Sequence, residues 1–280
     1  KNFGGEPSSC HKGTNKHVKW CFENKLVSTS CFITDLCLDD IHKASAVKRK
    51  IAWILEPRVI HPHVYDWIEQ NNKLFDYVLT FDTYLLDKGE NYLYYPHGRC
   101  WINKYKGTKK ENKTSIIASS KNSVEGHKLR HEVIRQFKGN MDVYGHGYNS
   151  IEDKEEALLK YKFSVTIENC RQPGYWTEKI VDAFATKSIP IFWGHNAVND
   201  FFDPDGIIYF DNIEELKEIF KDIEKNGDEI YESKKTAIEY NFKKVEEYRI
   251  PEDWCYLNYP FLLLSAVWCP NVSSNYWQSL

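Results

Sequence analysis

The chain has 280 residues, of which 42% are hydrophobic and 28% charged, with a formal net charge of −3. That length supports one large domain or two ordinary ones with a sizeable core, and the apolar share is too high for a disordered chain. The slight acidity argues against a dedicated nucleic-acid binder, and there is no apolar run of the roughly 18 residues that would suggest a bilayer span.

Residues 1–17 are polar and read as an irregular lead-in. Strands are expected over 32–38 and over 50–55, the latter an almost unbroken apolar run typical of a strand buried on both faces. A helix over 63–74 precedes strands at 75–81 and 92–95. The charged stretch 103–113 reads as the join between two domains. A second alternation follows: strand 114–119, helix 127–137, strand 141–145, helix 154–161, strand 163–167, helix 177–185, strand 188–193 and strand 206–210. Residues 213–247 read as one amphipathic helix, and the aromatic tail from Pro251 as a segment packed on something large. Strands alternating with helices imply mainly parallel sheets, so two Rossmann-like halves are expected.

The eight cysteines form no Cys-x-x-Cys pair and show no zinc-finger spacing, which leaves disulfides and buried thiols both open. The sequons at Asn112 and Asn271 lean weakly toward a secretory lumen. The chain opens at Lys1 rather than Met. A removed anchor or signal is therefore compatible with it, and a Golgi-like lumen and the cytoplasm stay undistinguished. Nine Trp, 18 Tyr and 15 Phe suit a carbohydrate-handling protein and an aromatic core equally well. Phosphate-loop, zinc-protease and nucleophile-elbow motifs are absent. Gly145-His146-Gly147 is too short for a dinucleotide fingerprint, and Asp203-Pro204-Asp205 reads as turn chemistry rather than a metal site.

The densest chemistry lies between Tyr161 and Phe184. A strand ending in Glu168-Asn169 delivers polar groups to the carboxyl edge of a sheet, where open α/β folds bind ligands. Thr177 is a good N-cap for the next helix and places Glu178 and Lys179 in its first turn, where unpaired N–H groups and the helix dipole suit a phosphate.

The pattern Phe163-x4-Glu168-Asn169, Tyr175-x-Thr177-Glu178-Lys179 and Ile189-Pro190-Ile191-Phe192-Trp193-Gly194 resembles the donor-site motif of glycosyltransferase family 10, the α1,3/4-fucosyltransferases. A weaker likeness runs from about residue 51 to 212. The resemblance implies a GT-B fold, with two Rossmann-like domains facing a central cleft and a C-terminal segment returning to the N-terminal domain. It implies an acceptor domain over 1–105, a nucleotide-sugar domain over 106–245 and a returning tail over 246–280. It implies donor contacts at Arg130, Asn169, Tyr175, Glu178 and Lys179, with Arg130 and Lys179 meeting the diphosphate. The general base is implied at Glu56, within Glu56-Pro57, where the family's intervening Ser is missing; Asp66, Glu69 and Asp82 are the fallbacks.

Cys170 stands where the family usually has Ser, and Gly174 where Asp is common; neither removes a charge contact. The implied reaction is inverting transfer of a sugar, GDP-fucose being the first donor and UDP-xylose or another UDP-sugar the alternative, onto an oligosaccharide or glycoprotein glycan. No metal is required, a divalent ion serving at most as a stimulant. A non-catalytic glycan-binding relative is the rival class.

Overall fold

The computed structural model describes residues 17, 30–44, 47–103, 105, 107–263 and 266–268. The expected lead-in (His17 apart), Cys10, Cys21, Cys269 and the Asn271 sequon lie outside the described residues. The chain divides into two units, Lys1–Pro96 with Ile250–Leu280, and His97–Arg249. The first division falls before the charged stretch at 103–113, because residues ahead of that stretch, and its first residue, are already bound into the second unit. The Trp101 amide donates to Asp182 Oδ1 at 2.7 Å, the Asn103 amide to Glu155 Oε1 at 2.9 Å, and the Cys100 amide to the Arg249 carbonyl at 3.3 Å.

The first unit contains strands β1 (Ser30–Thr34), β2 (Arg49–Trp53), β3 (Tyr77–Thr80) and β4 (Tyr92–Tyr94), with helices α1 (Pro62–Asn71) and α2 (Thr83–Leu86). The second contains β5 (Glu111–Ile117), α3 (Glu125–Phe137), β6 (Asp142–Tyr144), α4 (Glu155–Leu158), β7 (Tyr161–Ile167), α5 (Glu178–Ala185), β8 (Ile189–Trp193), β9 (Ile208–Tyr209), α6 (Ile213–Ser233) and α7 (Lys235–Tyr248). The chain then returns to the first unit as α8 (Pro251–Asn258) and β10 (Ala266–Trp268), the latter pairing in parallel with β1.

The first sheet has the order β10-β1-β2-β3-β4 and the second β6-β5-β7-β8-β9, with every pairing parallel. Strand alternation explains the unbroken apolar runs. Cys31 and Ile33 of β1 pack with Val64, Tyr65 and Ile68 of α1 on one face. Phe32, Ile51, Trp53 and Leu79 pack with Cys255 and Leu262 on the other. Both faces are covered, as parallel sheets require. In the second unit Ile116, Phe163, Val165, Ile189 and Ile191 meet Val133, Phe137 and Phe220 in one core.

Three elements differ from expectation for identifiable reasons. The strand expected over 32–38 ends at Thr34, because Asp35 turns the backbone to φ 22° and starts a 3-10 segment over Asp35–Ala44. The helix expected over 154–161 stops at Leu158, because Tyr161 opens β7 and its hydroxyl bonds Asp142 Oδ2 at 2.7 Å. The helix expected over 213–247 breaks at Lys234 (φ −95°, ψ 6°), whose ammonium donates to the Asp205 carbonyl at 2.7 Å; beyond it α7 packs on α5.

In the second sheet the first strand in sequence, β5, lies between β6 and β7. The chain therefore steps from β5 to β6 on one side and crosses back past β5 to β7 on the other, so the strand order reverses at the carboxyl ends of β5 and β7. This is the topological switch point where open α/β sheets bind ligands.

Candidate functional site

The loop after β7 is built on Glu168. Its side chain is fully buried and accepts the Thr177 amide at 2.8 Å and the Thr177 hydroxyl at 3.0 and 2.8 Å. Thr177 is the N-cap of α5, and its oxygen in turn accepts from Lys179 N at 3.4 Å and Lys179 Nζ at 2.9 Å. Lys179 Nζ also lies 3.2 Å from Glu168 Oε2 and 3.5 Å from Glu178 Oε1. One buried carboxylate thus ties the end of a strand to the start of the next helix and holds the ammonium at the helix N-terminus.

Arg130 reaches the same edge from α3. It is 7% exposed, and its Nε and Nη2 donate to the Ile167 carbonyl at 3.0 and 2.6 Å. Nη2 also donates to Asn169 Oδ1 at 2.9 Å, while Asn169 Nδ2 donates to the Tyr175 hydroxyl at 3.4 Å. Arg130, Asn169 and Tyr175 form one chain of hydrogen bonds, with Arg130 Nη1 left without a protein partner among the described residues. The approach depends on Gly126. Its amide donates to the Asn169 carbonyl at 3.0 Å, and an added Cβ would lie 1.7 Å from the Glu168 carbonyl oxygen. The first turn of α3 can meet the β7 loop only through a residue with no side chain.

Charge gathers around the first turn of α5. Burial would raise the Glu178 carboxyl, but Lys179, Lys154, Arg99 and His97 outweigh it and hold the group well below the usual carboxylate range. Lys154 Nζ bridges Asp182 Oδ2 at 2.7 Å and Glu178 Oε1 at 3.8 Å. Burial lowers the Arg130 guanidinium, opposed by Glu168, Tyr175 and Glu178. Arg99, Arg130, Lys154 and Lys179 thus stand against Glu168, Glu178 and Asp182, leaving one positive charge in excess. Burial, reinforced by Arg99, lowers His97 to about 3, so its imidazole is neutral at pH 7. Such a site suits a ligand with a compact negative charge and hydroxyl groups, the guanidinium and ammonium taking the charge and Glu178 the hydroxyls.

The structure brings Arg130, Asn169, Tyr175, Glu178 and Lys179 to one edge of the second sheet. Lys154, Asp182 and Arg99 were not singled out from the sequence, and Glu168 was named as a polar strand-end group of the motif without a donor contact of its own. Only Glu168 had a local signal, as the last polar residue of a strand; the others meet the site through long-range contacts.

Glu56 lies in the first unit, just past β2, and is 7% exposed. Its amide donates to Asp35 Oδ1 at 3.5 Å, and its carbonyl accepts the Tyr65 hydroxyl at 2.7 Å. Of the fallback carboxylates, Asp82 binds Arg58 through both oxygens at 2.8 and 3.1 Å and caps α2, and Glu69 pairs with Arg58 and Lys88. Asp66 is exposed.

Gly147 serves the turn, with φ 91°, and Gly145 serves turn and packing together. Gly145 has φ 111°, and a Cβ there would sit 2.1 Å from the Ala118 carbonyl oxygen, which closes the β6 turn onto the loop after β5. Asp203 Oδ1 accepts the Asp205 amide at 3.0 Å as the cap of a short 3-10 turn.

Two doubly wound α/β units, one with a cationic crevice at its switch point, define the class of protein. Residues 108–258 match the model of glycosyltransferase family 10 (fucosyltransferase), C-terminal part, which is more than half of the chain. The chain belongs to glycosyltransferase family 10.

It is 41% identical over 71 residues to the alpha-(1,3)-fucosyltransferase FucT of Helicobacter pylori, a match covering 25% of this chain and 14% of that protein. It is 33% identical over 73 residues to the alpha-(1,4)-fucosyltransferase of Arabidopsis thaliana, covering 26% of this chain and 18% of that protein. Among solved structures it is similar to TarM, with a TM-score of 0.54 and 13% identity over 79% of this chain and 51% of that one. The fold is of the GT-B type.

Proposed function

We propose that the chain is an inverting glycosyltransferase that moves L-fucose from GDP-fucose to a hydroxyl of a glycan acceptor. The observation that carries this reading is the joining of Arg130, Asn169 and Tyr175 with Glu168, Thr177, Glu178 and Lys179 at the switch point, inside the segment that matches the family. The two fucosyltransferase relatives share the transferred sugar in their names but differ in linkage. They support fucose and leave the linkage unassigned.

In this reading the acceptor hydroxyl attacks the anomeric carbon from the face opposite the diphosphate. Glu56 takes its proton as the new C–O bond forms. The bond from the anomeric carbon to the phosphate oxygen breaks, its electron pair leaves with the nucleoside diphosphate, and configuration inverts. Arg130 Nη1 and Lys179 Nζ offset the charge that grows on the leaving group. Glu178, held ionised by its cationic neighbours, accepts hydrogen bonds from sugar or ribose hydroxyls, while Asn169 and Tyr175 hold the donor pocket. With the charge met by side chains, the reaction does not call on a metal.

Calorimetric titration with GDP and with UDP, each with and without Mn²⁺, tests the donor. Tight metal-independent GDP binding is the expected result. Preferential UDP binding would move the reading to UDP-xylose or another UDP-sugar, and binding of neither would remove the donor site.

A further inference from the structure

We infer that Asp35 and Tyr65 are positioning residues that clamp the main chain of Glu56 from both sides and so aim its carboxylate. The inference rests on the reading of Glu56 as the base.

Both polar main-chain groups of Glu56 are bound by side chains from other elements. On the amino side, Asp35 Oδ1 accepts the Leu55 amide at 2.9 Å and the Glu56 amide at 3.5 Å. On the carboxyl side, the Tyr65 hydroxyl of α1 donates to the Glu56 carbonyl at 2.7 Å. Asp35 is 5% exposed and Tyr65 0%, so water does not compete for either contact. Asp35 adopts φ 22°, in a region that residues with a Cβ seldom enter and that Asp tolerates better than most. That turn ends β1 and carries the carboxyl across to the chain leaving β2. Strain at an uncommon backbone angle persists where the surroundings over-determine it, and here the bonds to Leu55 and Glu56 do so.

The electrostatics agree with this geometry. Burial pushes the Asp35 carboxyl up to about 8, the Leu55 amide lowering it and the neighbouring Glu56 raising it. At neutral pH Asp35 is therefore an uncharged acid. It holds the backbone without adding its own negative charge beside Glu56. The Tyr65 ring also lies beneath Arg58, whose guanidinium carbon is 4.4 Å from the ring centroid. Arg58 is fixed to buried Asp82 and to half-buried Glu69, so the chain on both sides of Pro57 is tied down.

The test compares Asp35→Ala, Asp35→Asn, Tyr65→Phe and Glu56→Gln in the full chain. GDP release from GDP-fucose is measured with an oligosaccharide acceptor panel, and hydrogen exchange is followed at the Leu55 and Glu56 amides. Asp35→Ala removes the acceptor, and kcat should fall about ten- to a hundredfold, the scale of a small misplacement of a catalytic group. KM for the donor should not change, and both amides should lose protection. Asp35→Asn keeps an acceptor oxygen in an uncharged side chain, so it should recover most of the lost kcat and the protection. Tyr65→Phe should lower kcat with KM unchanged. It deletes a single oxygen, so it decides the matter if Asp35→Ala does not fold.

Wild-type kcat and exchange in Asp35→Ala or Tyr65→Phe, with Glu56→Gln inactive, would overturn the clamp and leave the base standing. Asp35→Asn as impaired as Asp35→Ala would also overturn it. Full turnover by Glu56→Gln would instead remove the base.

Discussion

The hydroxyl of Thr177 donates to the carboxylate of Glu168 at 2.8 Å, and the amide of the same threonine reaches that carboxylate at 2.8 Å. Two residues nine positions apart thereby close the loop that carries Asn169 and Tyr175, and they set the start of the helix that carries Glu178 and Lys179.

Thr177→Val keeps the volume and loses the hydroxyl. It should lower stability by about 1–3 kcal/mol, combining a lost N-cap with a buried carboxylate short of a partner. Thr177→Ser should retain most of the wild-type value. Thermal melts of the two variants, with nucleotide titration alongside, check the pair, since the Glu168–Thr177 link is also expected to set GDP affinity.

Arg130→Ala and Lys179→Ala should each weaken nucleoside diphosphate binding by about 1.5–3 kcal/mol, the range for hydrogen bonds to charged groups. They should part company in the melt. Arg130 holds the Ile167 carbonyl and Asn169 from a buried position, whereas the Lys179 side chain is 24% exposed. Arg130→Ala is therefore expected to lower Tm clearly and Lys179→Ala only slightly.

Gly126→Ala introduces a methyl group where the Glu168 carbonyl stands 1.7 Å away. The Glu168 backbone, held directly behind β7 by its buried side chain, cannot yield cheaply, so a loss of about 1–3 kcal/mol is expected, as for overpacked cores. Binding of GDP should fall with it, because α3 and the β7 loop must separate. Gly139, which has open space around it, is the control: Gly139→Ala should leave both quantities unchanged.

Acid should destabilise the fold through its neutral histidines. Burial, with Arg130 and Lys121 adding, lowers His127 to about 4 from an ordinary 6.5. Between those values the unfolded chain binds a proton that the folded chain does not, so stability falls as pH drops from about 6.5 to 4. His97, lowered to about 3, acts in the same direction, and Glu178, depressed by its cationic neighbours, adds to the loss as pH falls below the usual carboxylate range. His127→Gln should flatten the dependence by at most about 1.4 kcal/mol per pH unit, the limit for one proton. Denaturant midpoints at pH 7, 6 and 5 for both proteins measure it.

Much of the fold is written locally. The apolar runs at 50–55 and 163–167 mark strands because a parallel strand buries both faces, and Thr177 declares the start of α5 because an N-cap must offer an oxygen to the next turn. The break at Lys234 has no such mark. Neither glycine nor proline is present there, and the helix ends because the following segment finds its packing partner in α5. The charged stretch at 103–113 reads as a join on composition alone, yet Trp101 before it bonds Asp182 and its own first residue, Asn103, bonds Glu155.

The candidate site divides the same way. Glu178 and Lys179 follow from a cap and a helix turn, whereas Arg130 is named only by the resemblance to the family. Asp35 meets Leu55 across 20 positions, Arg130 meets Ile167 across 37 and Lys154 meets Asp182 across 28. Local periodicity and capping act over a few residues, so a short window of sequence can display them. Which carboxylate holds its proton, and which cation offsets which charge, depends on burial and on partners that strand order alone brings together.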